Sequence, residues 1–341
     1  WQFINILYMD NKKSLFSELY AMFFMLLPAI LLAECGITWL LGGRITPFAF
    51  PVGFILAYIS ALRLAKQPLN SKGIVPIVCV IFVLVLLCYF LHDSSCDGFL
   101  YHQQGVAALS EGWNPIYNHH CGIDEDVAYR WEKLSTKTHV GPMDVSGIVW
   151  VDHYAKGQET LCATVMSTFG NIEIGKIANF FLPLSSFFFS LMALNRHFPI
   201  WTNRKKMFLA FIIAFPPIIW NQVFTFYIDF VLYPLIVIAF CSVILYECDK
   251  LRFCVILASL VIIAFSVKLN MFMWLGMLYC GILVYLFFKR HYKMVRLSFI
   301  VGVTAVIVAL FTSVYNPYIT NTIDHRSPFY PLMGGEVNID I

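Results

Sequence analysis

The chain has 341 residues, of which 60% are hydrophobic and only 13% are charged, with a formal net charge of +3. A soluble domain carries about 25% charged residues and about 45–50% apolar ones, so this composition excludes an ordinary soluble globular protein. The net charge is also too small to indicate nucleic-acid binding. Several runs of roughly 16–20 residues contain no charge, which is about the length that a helix needs to cross a bilayer. We therefore expect an all-α polytopic membrane protein, because an open sheet cannot satisfy its backbone in lipid.

The apolar runs predict nine spanning helices within a single transmembrane domain over residues 1–341. Glu34 interrupts the first span, and the connection between the first and second spans is short. Because the chain starts at Trp1, we expect a processed or trimmed N-terminus. The predicted spans are 20–41, 47–64, 74–91, 176–195, 207–222, 229–246, 253–267, 271–288 and 297–314.

Positive charge distinguishes the two sides of the predicted bundle. Lys and Arg gather before the first span and after the second, fourth, sixth and eighth, whereas the short connections on the other side contain few. The positive-inside rule then places the N-terminus in the cytoplasm, with the long loop 92–175 and the tail 315–341 outside. We expect a multi-pass protein of a bacterial inner or plasma membrane. The positive clusters contain Lys12, Lys13, Arg63, Lys66, Lys72, Arg196, Arg204, Lys205, Lys206, Lys250, Arg252, Lys289, Arg290, Lys293 and Arg296.

The extracytoplasmic loop 92–175 contains folding signals of its own. Residues 98–110 read as a short amphipathic helix that ends at Gly112, before Asn114 and Pro115. Residues 159–169 are semi-apolar and predict a second helix lying horizontally in the membrane interface. A loop of this length with its own structure is typical of a functional segment.

Three of the ten cysteines, Cys96, Cys121 and Cys162, fall in this loop. A Cys96–Cys121 disulfide is one pairing if the loop faces an oxidising compartment, and the third cysteine leaves other pairings open. The adjacent His119 and His120 are weak evidence for a metal site, because no second ligand pair stands at a matching spacing. The sequence assigns no cofactor and leaves a requirement for a divalent cation open.

The first candidate for chemistry lies where the third predicted span leads into the loop. Asp93 and Asp97 stand four residues apart, so they share a face if the helix continues, and Tyr101 and His102 follow. Capping and solvation at the membrane boundary is an equally good interpretation. The functional interpretation is a general base, or a ligand to a metal or a sugar hydroxyl.

Further polar groups flank the return to the membrane. His153 and Lys156 stand in a segment that is otherwise typical of a polar loop, and Glu173 precedes Lys176 by three residues, as an ordinary ion pair would. Asp229 begins the sixth predicted span, Lys268 stands between the seventh and eighth, and His325 and Arg326 lie in the tail. Ionisable groups at membrane boundaries favour a functional site, although lysine can also reach water there at low cost.

All these groups fall on the same predicted side of the membrane. Cations suit a phosphate group, and a carboxylate suits activation of an acceptor hydroxyl. The string Asp-Ser-Ser-Cys-Asp-Gly-Phe-Leu-Tyr-His-Gln from Asp93, followed by Glu-Gly-Trp-Asn-Pro from Glu111, resembles the GT-C superfamily of integral-membrane glycosyltransferases. The stretches His153-Tyr-Ala-Lys-Gly, Gly170-Asn-Ile-Glu-Ile-Gly-Lys and Ser327-Pro-Phe-Tyr-Pro-Leu are similar to uncharacterised bacterial members.

The resemblance implies a helical bundle with horizontal helices in its large loop and an inverting transfer from a polyprenyl-phosphate sugar to a glycan, lipid or protein acceptor. It implies an acidic catalytic base in the loop, which Asp97 matches best and Asp93 second. The other candidates are substrate-binding groups, with Lys268, His325 and Arg326 suited to the phosphate by position. In the family the acidic loop usually follows the first membrane helix, whereas here it follows the third predicted span.

Two other classes of function fit parts of the sequence. A transporter or flippase for a lipid-linked or anionic substrate would explain the helix-interrupting Pro216, Pro217 and Pro234, but it favours two related halves, and no repeat is visible. An assembly scaffold would not need polar groups on one side. The one-sided distribution therefore favours an enzyme, and the resemblance implies one of glycan biosynthesis in the cell envelope.

Overall fold

The structure is a computed structural model that describes residues 2–68, 71–121, 146–330 and 332. Every regular element in these ranges is helical. The elements are α1 (Gln2–Leu40), α2 (Ala49–Leu64), α3 (Ser71–Phe90), a π-helical turn (Gly98–His102), α4 (Gln103–Glu111), α5 (Ser146–His153), α6 (Gly157–Phe169), α7 (Ile172–Gly175), a 3₁₀ turn (Lys176–Phe180), α8 (Phe181–His197), α9 (Asn203–Ala214), α10 (Pro217–Gln222), a 3₁₀ turn (Asp229–Val231), α11 (Leu232–Tyr246), α12 (Lys250–Val267), α13 (Leu269–Phe288), α14 (Tyr292–Phe311), a π-helical turn (Tyr315–Ile319) and α15 (Thr320–His325).

Seven stretches of the described chain are helical, long and apolar enough to cross a membrane. They correspond to the first, third, fourth and sixth to ninth predicted spans. The polytopic α-helical class predicted from composition is therefore confirmed, while the count of nine and the orientation stay predictions. The seven are Phe16–Leu40, Lys72–Phe90, Ile172–His197, Asp229–Tyr246, Lys250–Val267, Leu269–Phe288 and Tyr292–Phe311.

The second and fifth predicted spans are shorter than the sequence indicated. Helix α2 has 16 residues and packs along α1. The fifth is interrupted: α9 ends at Ala214, Pro216 is extended, and Pro217 starts α10. The break has a simple cause, because proline lacks the backbone donor and disfavours helical backbone in the residue before it.

Helix α1 is the centre of the bundle and packs against α2, α8 and α12. Its residues from Leu19 to Leu27 are almost all buried, including the neighbouring rings of Phe23 and Phe24. Phe24 stacks on Phe181 and Phe188 of α8, with ring centroids 6.5 and 6.4 Å apart. Such aromatic pairs add about 0.5–1.5 kcal/mol each beyond their area burial, so they stabilise the packing of α1 against α8.

The loop helices pack on the end of the bundle where α1 finishes, which we call the loop end. Asn114 Nδ2 donates to the carbonyls of Trp39 and Gly43, at 3.0 and 2.8 Å. Helix α4 stops at Gly112, whose positive φ of 112° is a conformation that favours glycine.

Helix α6, in the segment predicted to lie horizontally in the membrane interface, is enclosed by protein over most of its length. Residues Gly157–Val165 are buried in the protein, where α6 packs against α4 and also contacts α1, α2 and α12. A Cβ on Gly157 would come within 2.6 Å of the Ser266 backbone, so α6 begins directly against the end of α12. Cys96, Cys121 and Cys162, the loop cysteines for which disulfide pairings were open, are all in the thiol form in the structure.

Candidate functional site

Asp93 lies just beyond α3, and its carboxylate is fully occupied by the protein. Oδ1 accepts the Ser95 backbone N–H at 2.8 Å, and Oδ2 accepts the Ser95 hydroxyl at 3.1 Å. Oδ2 also accepts the backbone N–H of Phe226 at 2.9 Å. Gly98 is required beneath this carboxylate, because a Cβ there would stand 2.2 Å from Oδ2. Asp93 therefore fastens the start of the loop to the segment before α11.

A buried ion pair extends this connection. Glu173 Oε2 accepts the backbone N–H of Asp93 at 3.2 Å and lies 2.5 Å from Lys176 Nζ. The Lys176 side chain is 0% exposed and also donates to the carbonyl of Leu91. His92 is 3.5 Å from the other Glu173 oxygen, on the solvent side. The Glu173–Lys176 pair thus joins the end of α3 to α7, as the ion-pair interpretation predicted.

Asp97 differs from Asp93 in its surroundings. It precedes the π-helical turn, is half-buried, and its side chain has no hydrogen bond or ion pair to any residue that the structure describes. Tyr101 stands one turn further on. Burial, and then the charges of Asp97 and Glu159, raise the pKa of the Tyr101 phenol, and the charge of Asp229 acts in the same direction. These carboxylates therefore lie close enough to Tyr101 to interact with it electrostatically.

An accessible ion pair contains Asp229, one of the carboxylates whose charge acts on Tyr101. Lys268 Nζ lies 2.7 Å from Asp229 Oδ1, and the two side chains are 28% and 53% exposed. Burial and the charge of Asp229 raise the pKa of Tyr154. We call Asp97, Tyr101, Tyr154, Asp229 and Lys268 the Asp97 cluster. It combines an unpartnered carboxylate, two phenols and a cation that solvent can reach.

His102 lies behind this cluster rather than in it. Its Nδ1 is 2.5 Å from Glu159 Oε1, and the two side chains are only 3% and 8% exposed. The second Glu159 oxygen is buried and has no hydrogen-bond partner in the part of the chain described. A buried carboxylate beside an imidazole holds the ring in one orientation, so His102 supports Tyr101 from the interior.

The ammonium group of Lys156 is buried and hydrogen-bonded within the protein, so it is not an accessible cation. Its Nζ donates to the carbonyls of Asp152 and Tyr154, at 2.8 and 2.7 Å, and to Asn316 Oδ1 at 2.7 Å. It also lies 5.2 Å from the centre of the Trp113 ring. Burial lowers the pKa of Lys156 to about 8, against the opposing influence of Asp152 and Glu159. All three ammonium protons are used, two within the loop and one to join the loop to Asn316 of the tail.

The tail docks on the loop through a stack of rings. His325 stacks on Tyr330 at 3.7 Å between centroids, and His153 meets both rings edge-on at 4.8 Å. His153 Nδ1 is 2.7 Å from Asn321 Oδ1, and Asn321 donates to the carbonyls of His153 and Tyr330. Arg326 follows α15 in an exposed left-handed turn, without a side-chain partner among the described residues.

His119 and His120, the adjacent pair that the sequence suggested as weak evidence for a metal site, each lie beside an acid. His119 Nδ1 is 2.5 Å from Asp324, and His120 Nδ1 is 3.1 Å from Asp152. The described residues contain no group of three or more His, Cys, Asp or Glu side chains placed to hold a metal ion.

The structure therefore divides the residues singled out from the sequence into accessible groups, groups in the tail contact and groups with internal partners. The charges of Asp97 and of Asp229, the ion-pair partner of Lys268, both act on Tyr101, and the structure places His153 and His325 in the tail contact. It gives Asp93, Glu173, His102 and Lys156 internal partners. The sequence did not indicate Glu159, whose carboxylate looked like part of an interfacial helix, or Tyr154 and Asn321. Tyr154 stood inside the quoted His153-Tyr-Ala-Lys-Gly motif but was not singled out as a site residue, whereas Asn321 had no distinguishing signal.

Comparison of the chain with protein-family models, with curated proteins and with solved structures gave no match. The fold and the site define a multi-pass α-helical membrane protein with a polar cluster at the loop end of its bundle. Any more specific activity is an inference from the geometry of that cluster.

Proposed function

We propose that the protein is a GT-C-like membrane glycosyltransferase. It transfers a sugar from a polyprenyl-phosphate donor to a glycan, lipid or protein acceptor at the extracytoplasmic face. The observation that supports this proposal is the half-buried carboxylate of Asp97, which has no partner among the described residues and whose charge acts on Tyr101 together with that of Asp229, the ion-pair partner of Lys268.

A comparison with the other acids of the loop end supports Asp97 as the reacting group. Asp93, Asp152, Glu159, Glu173, Asp229 and Asp324 each have a hydrogen-bond or ion-pair partner. Glu111 has none in the described chain, but it is exposed to solvent at the end of α4. A general base needs a free lone pair and partial shielding from water, and Asp97 has both.

The roles follow from the chemistry of each group. Asp97 accepts the proton of an acceptor hydroxyl while the hydroxyl oxygen attacks the anomeric carbon of the donor sugar. The bond from that carbon to the phosphate oxygen breaks, and polyprenyl phosphate leaves with the electron pair. Lys268 balances the charge on the phosphate, assisted by Arg326, an exposed cation of the tail. Attack opposite the leaving phosphate inverts the anomeric centre.

The test is transfer from a labelled polyprenyl-phosphate sugar to a membrane-lipid extract. Asp97→Asn keeps the size of the side chain and removes the base, so we expect transfer to fall by about 10²–10⁴-fold. Glu111→Gln is the matched control, since it removes an unpartnered acid of the same loop and should retain activity. Full activity of Asp97→Asn would exclude Asp97 as the base.

A transporter of a lipid-linked or anionic substrate is the second candidate. The break between α9 and α10 favours it, as does Glu34, which lies within α1 and has a buried oxygen without a partner in the described part. Proteoliposomes separate the two functions. Movement of a labelled lipid-phosphate sugar between leaflets without a change in its mass would favour transport.

A further inference from the structure

Two adjoining grooves lie at the end of the bundle opposite the Asp97 cluster. Their volumes are about 550 and 490 Å³, and both are lined by Glu247, Cys248 and Lys250. They form where α8, α11 and α13 end and where α12 and α14 begin. A whole helix length therefore separates them from Asp229 and Lys268, so any ligand bound there is distinct from a substrate at the loop end.

The grooves carry positive charge that the protein does not neutralise. Arg196 and Lys250 line the larger groove, and Lys250, Arg290 and Lys293 line the smaller one. Lys250, Arg290 and Lys293 are exposed, and their side chains have no hydrogen bond or ion pair to the residues described. Arg196 donates to the carbonyl of Leu245 at 3.0 Å, which leaves its charge uncompensated.

The two acidic side chains that line the grooves interact with residues other than the groove cations. Asp249 is 2.5 Å from Arg252 Nη1, outside the set of groove cations. Glu247 Oε2 accepts the Tyr285 hydroxyl at 3.1 Å. The grooves thus contain four cations and only one carboxylate, Glu247, that is not already paired with an arginine outside them. An anionic ligand would balance the remaining positive charge.

The surroundings indicate that this anion is attached to apolar chains. Leu251 and Tyr292 line the grooves and are 66% and 55% exposed, and Phe288, the last residue of α13, is 78% exposed. Helices α13 and α14 continue from the grooves as apolar spans. Basic pockets between membrane helices on the predicted cytoplasmic side suit lipid head groups, and aromatic rings at the same level suit the interface.

We propose that these grooves bind the phosphate head group of an anionic phospholipid, with its acyl chains lying along Phe288 and Tyr292. The phosphate oxygens accept hydrogen bonds from Lys250, Arg290 and Lys293. The volumes fall within the range of about 300–1,000 Å³ that is usual for small-ligand sites. This site is independent of the reaction at the Asp97 cluster.

The experiment is native mass spectrometry of the detergent-solubilised full chain, titrated with phosphatidylglycerol or with phosphatidylcholine. The variant K250Q/R290Q/K293Q removes the three unpaired cations. The control R63Q/R204Q/K205Q removes three exposed cations at the same end of the bundle but outside the grooves. Because a basic residue near an anionic lipid surface contributes about a factor of five, we expect the groove variant to bind phosphatidylglycerol about 100-fold more weakly.

We expect the groove variant to lose phosphatidylglycerol binding and the control variant to retain it. Phosphatidylcholine should bind weakly to the wild type and to both variants. Equal losses in the two variants would show general electrostatics and overturn the site. Glycerol phosphate that displaces the lipid at equal concentration would show that a soluble phosphate is the ligand. The single variant Lys293→Gln, with an expected loss of about fivefold, decides the question if the triple variant unfolds at a lower temperature than the control.

Discussion

Replacing Asp93 by Asn should destabilise the protein, although the two side chains have nearly the same shape. The Asp93 carboxylate accepts three hydrogen bonds with its two oxygens. An amide has one acceptor oxygen, so either the Ser95 or the Phe226 backbone N–H loses its partner. The Phe226 contact joins segments 133 residues apart, and losing it loosens the loop from the bundle.

The size of the effect follows from the charge of the acceptor. A hydrogen bond to a charged group contributes about 1.5–3 kcal/mol. Asp93 is half-buried, so solvent weakens the contribution, and the expected loss is roughly 1.5 kcal/mol for Asp93→Asn and roughly 3 kcal/mol for Asp93→Ala. In a protein of this size, 1.5 kcal/mol lowers the melting temperature by roughly 3 °C.

Thermal unfolding in detergent, followed by tryptophan fluorescence, measures this loss directly. Asp97→Asn is the matched control, because the Asp97 side chain has no partner in the described chain and its replacement should change stability by no more than about 0.5 kcal/mol. An unchanged melting temperature for Asp93→Asn, or an equal fall for Asp97→Asn, would refute the distinction between an anchoring and a reacting aspartate.

Two further predictions concern the cation and the tail. Lys268→Gln should raise the KM for the donor about 10-fold, because it removes a partly exposed charged contact to the phosphate. Asp229→Asn breaks the same ion pair but keeps the cation, so equal effects in the two variants would contradict a phosphate role. Burial lowers the pKa of His153 below its ordinary 6.5. As the pH falls below about 6.5, the unfolded chain binds the proton first, and the stability that neutral His153 contributes is lost. The melting temperature of the wild type should therefore fall more between pH 7.5 and 5.0 than that of His153→Gln, and parallel falls would contradict this assignment.

The membrane class was predictable because it depends on local composition. Uncharged runs at α11 to α14 appear in the sequence as such, and the break at Pro216 and Pro217 follows from the chemistry of proline. Length and charge alone made residues 207–222 look like one continuous span, and only the structure shows the helices on either side of the break.

The candidate site was less predictable because pairing is a property of the folded chain. Asp93 and Asp97 look equivalent in the sequence, and the partner that distinguishes them is the distant backbone of Phe226. Lys156 looked like an accessible cation until Asn316 of the tail was placed beside it. Glu159 was missed because its helix is semi-apolar, a pattern that fits burial in the protein as well as a membrane interface.

The most direct test of the central claim is the mass of the product. The purified protein would be incubated with a panel of polyprenyl-phosphate sugars and a membrane-lipid extract. The account predicts one acceptor species that gains the mass of a single sugar residue with the wild type and with Glu111→Gln, and no such species with Asp97→Asn. A product formed equally by Asp97→Asn, or donors that all remain intact with the wild type, would contradict it.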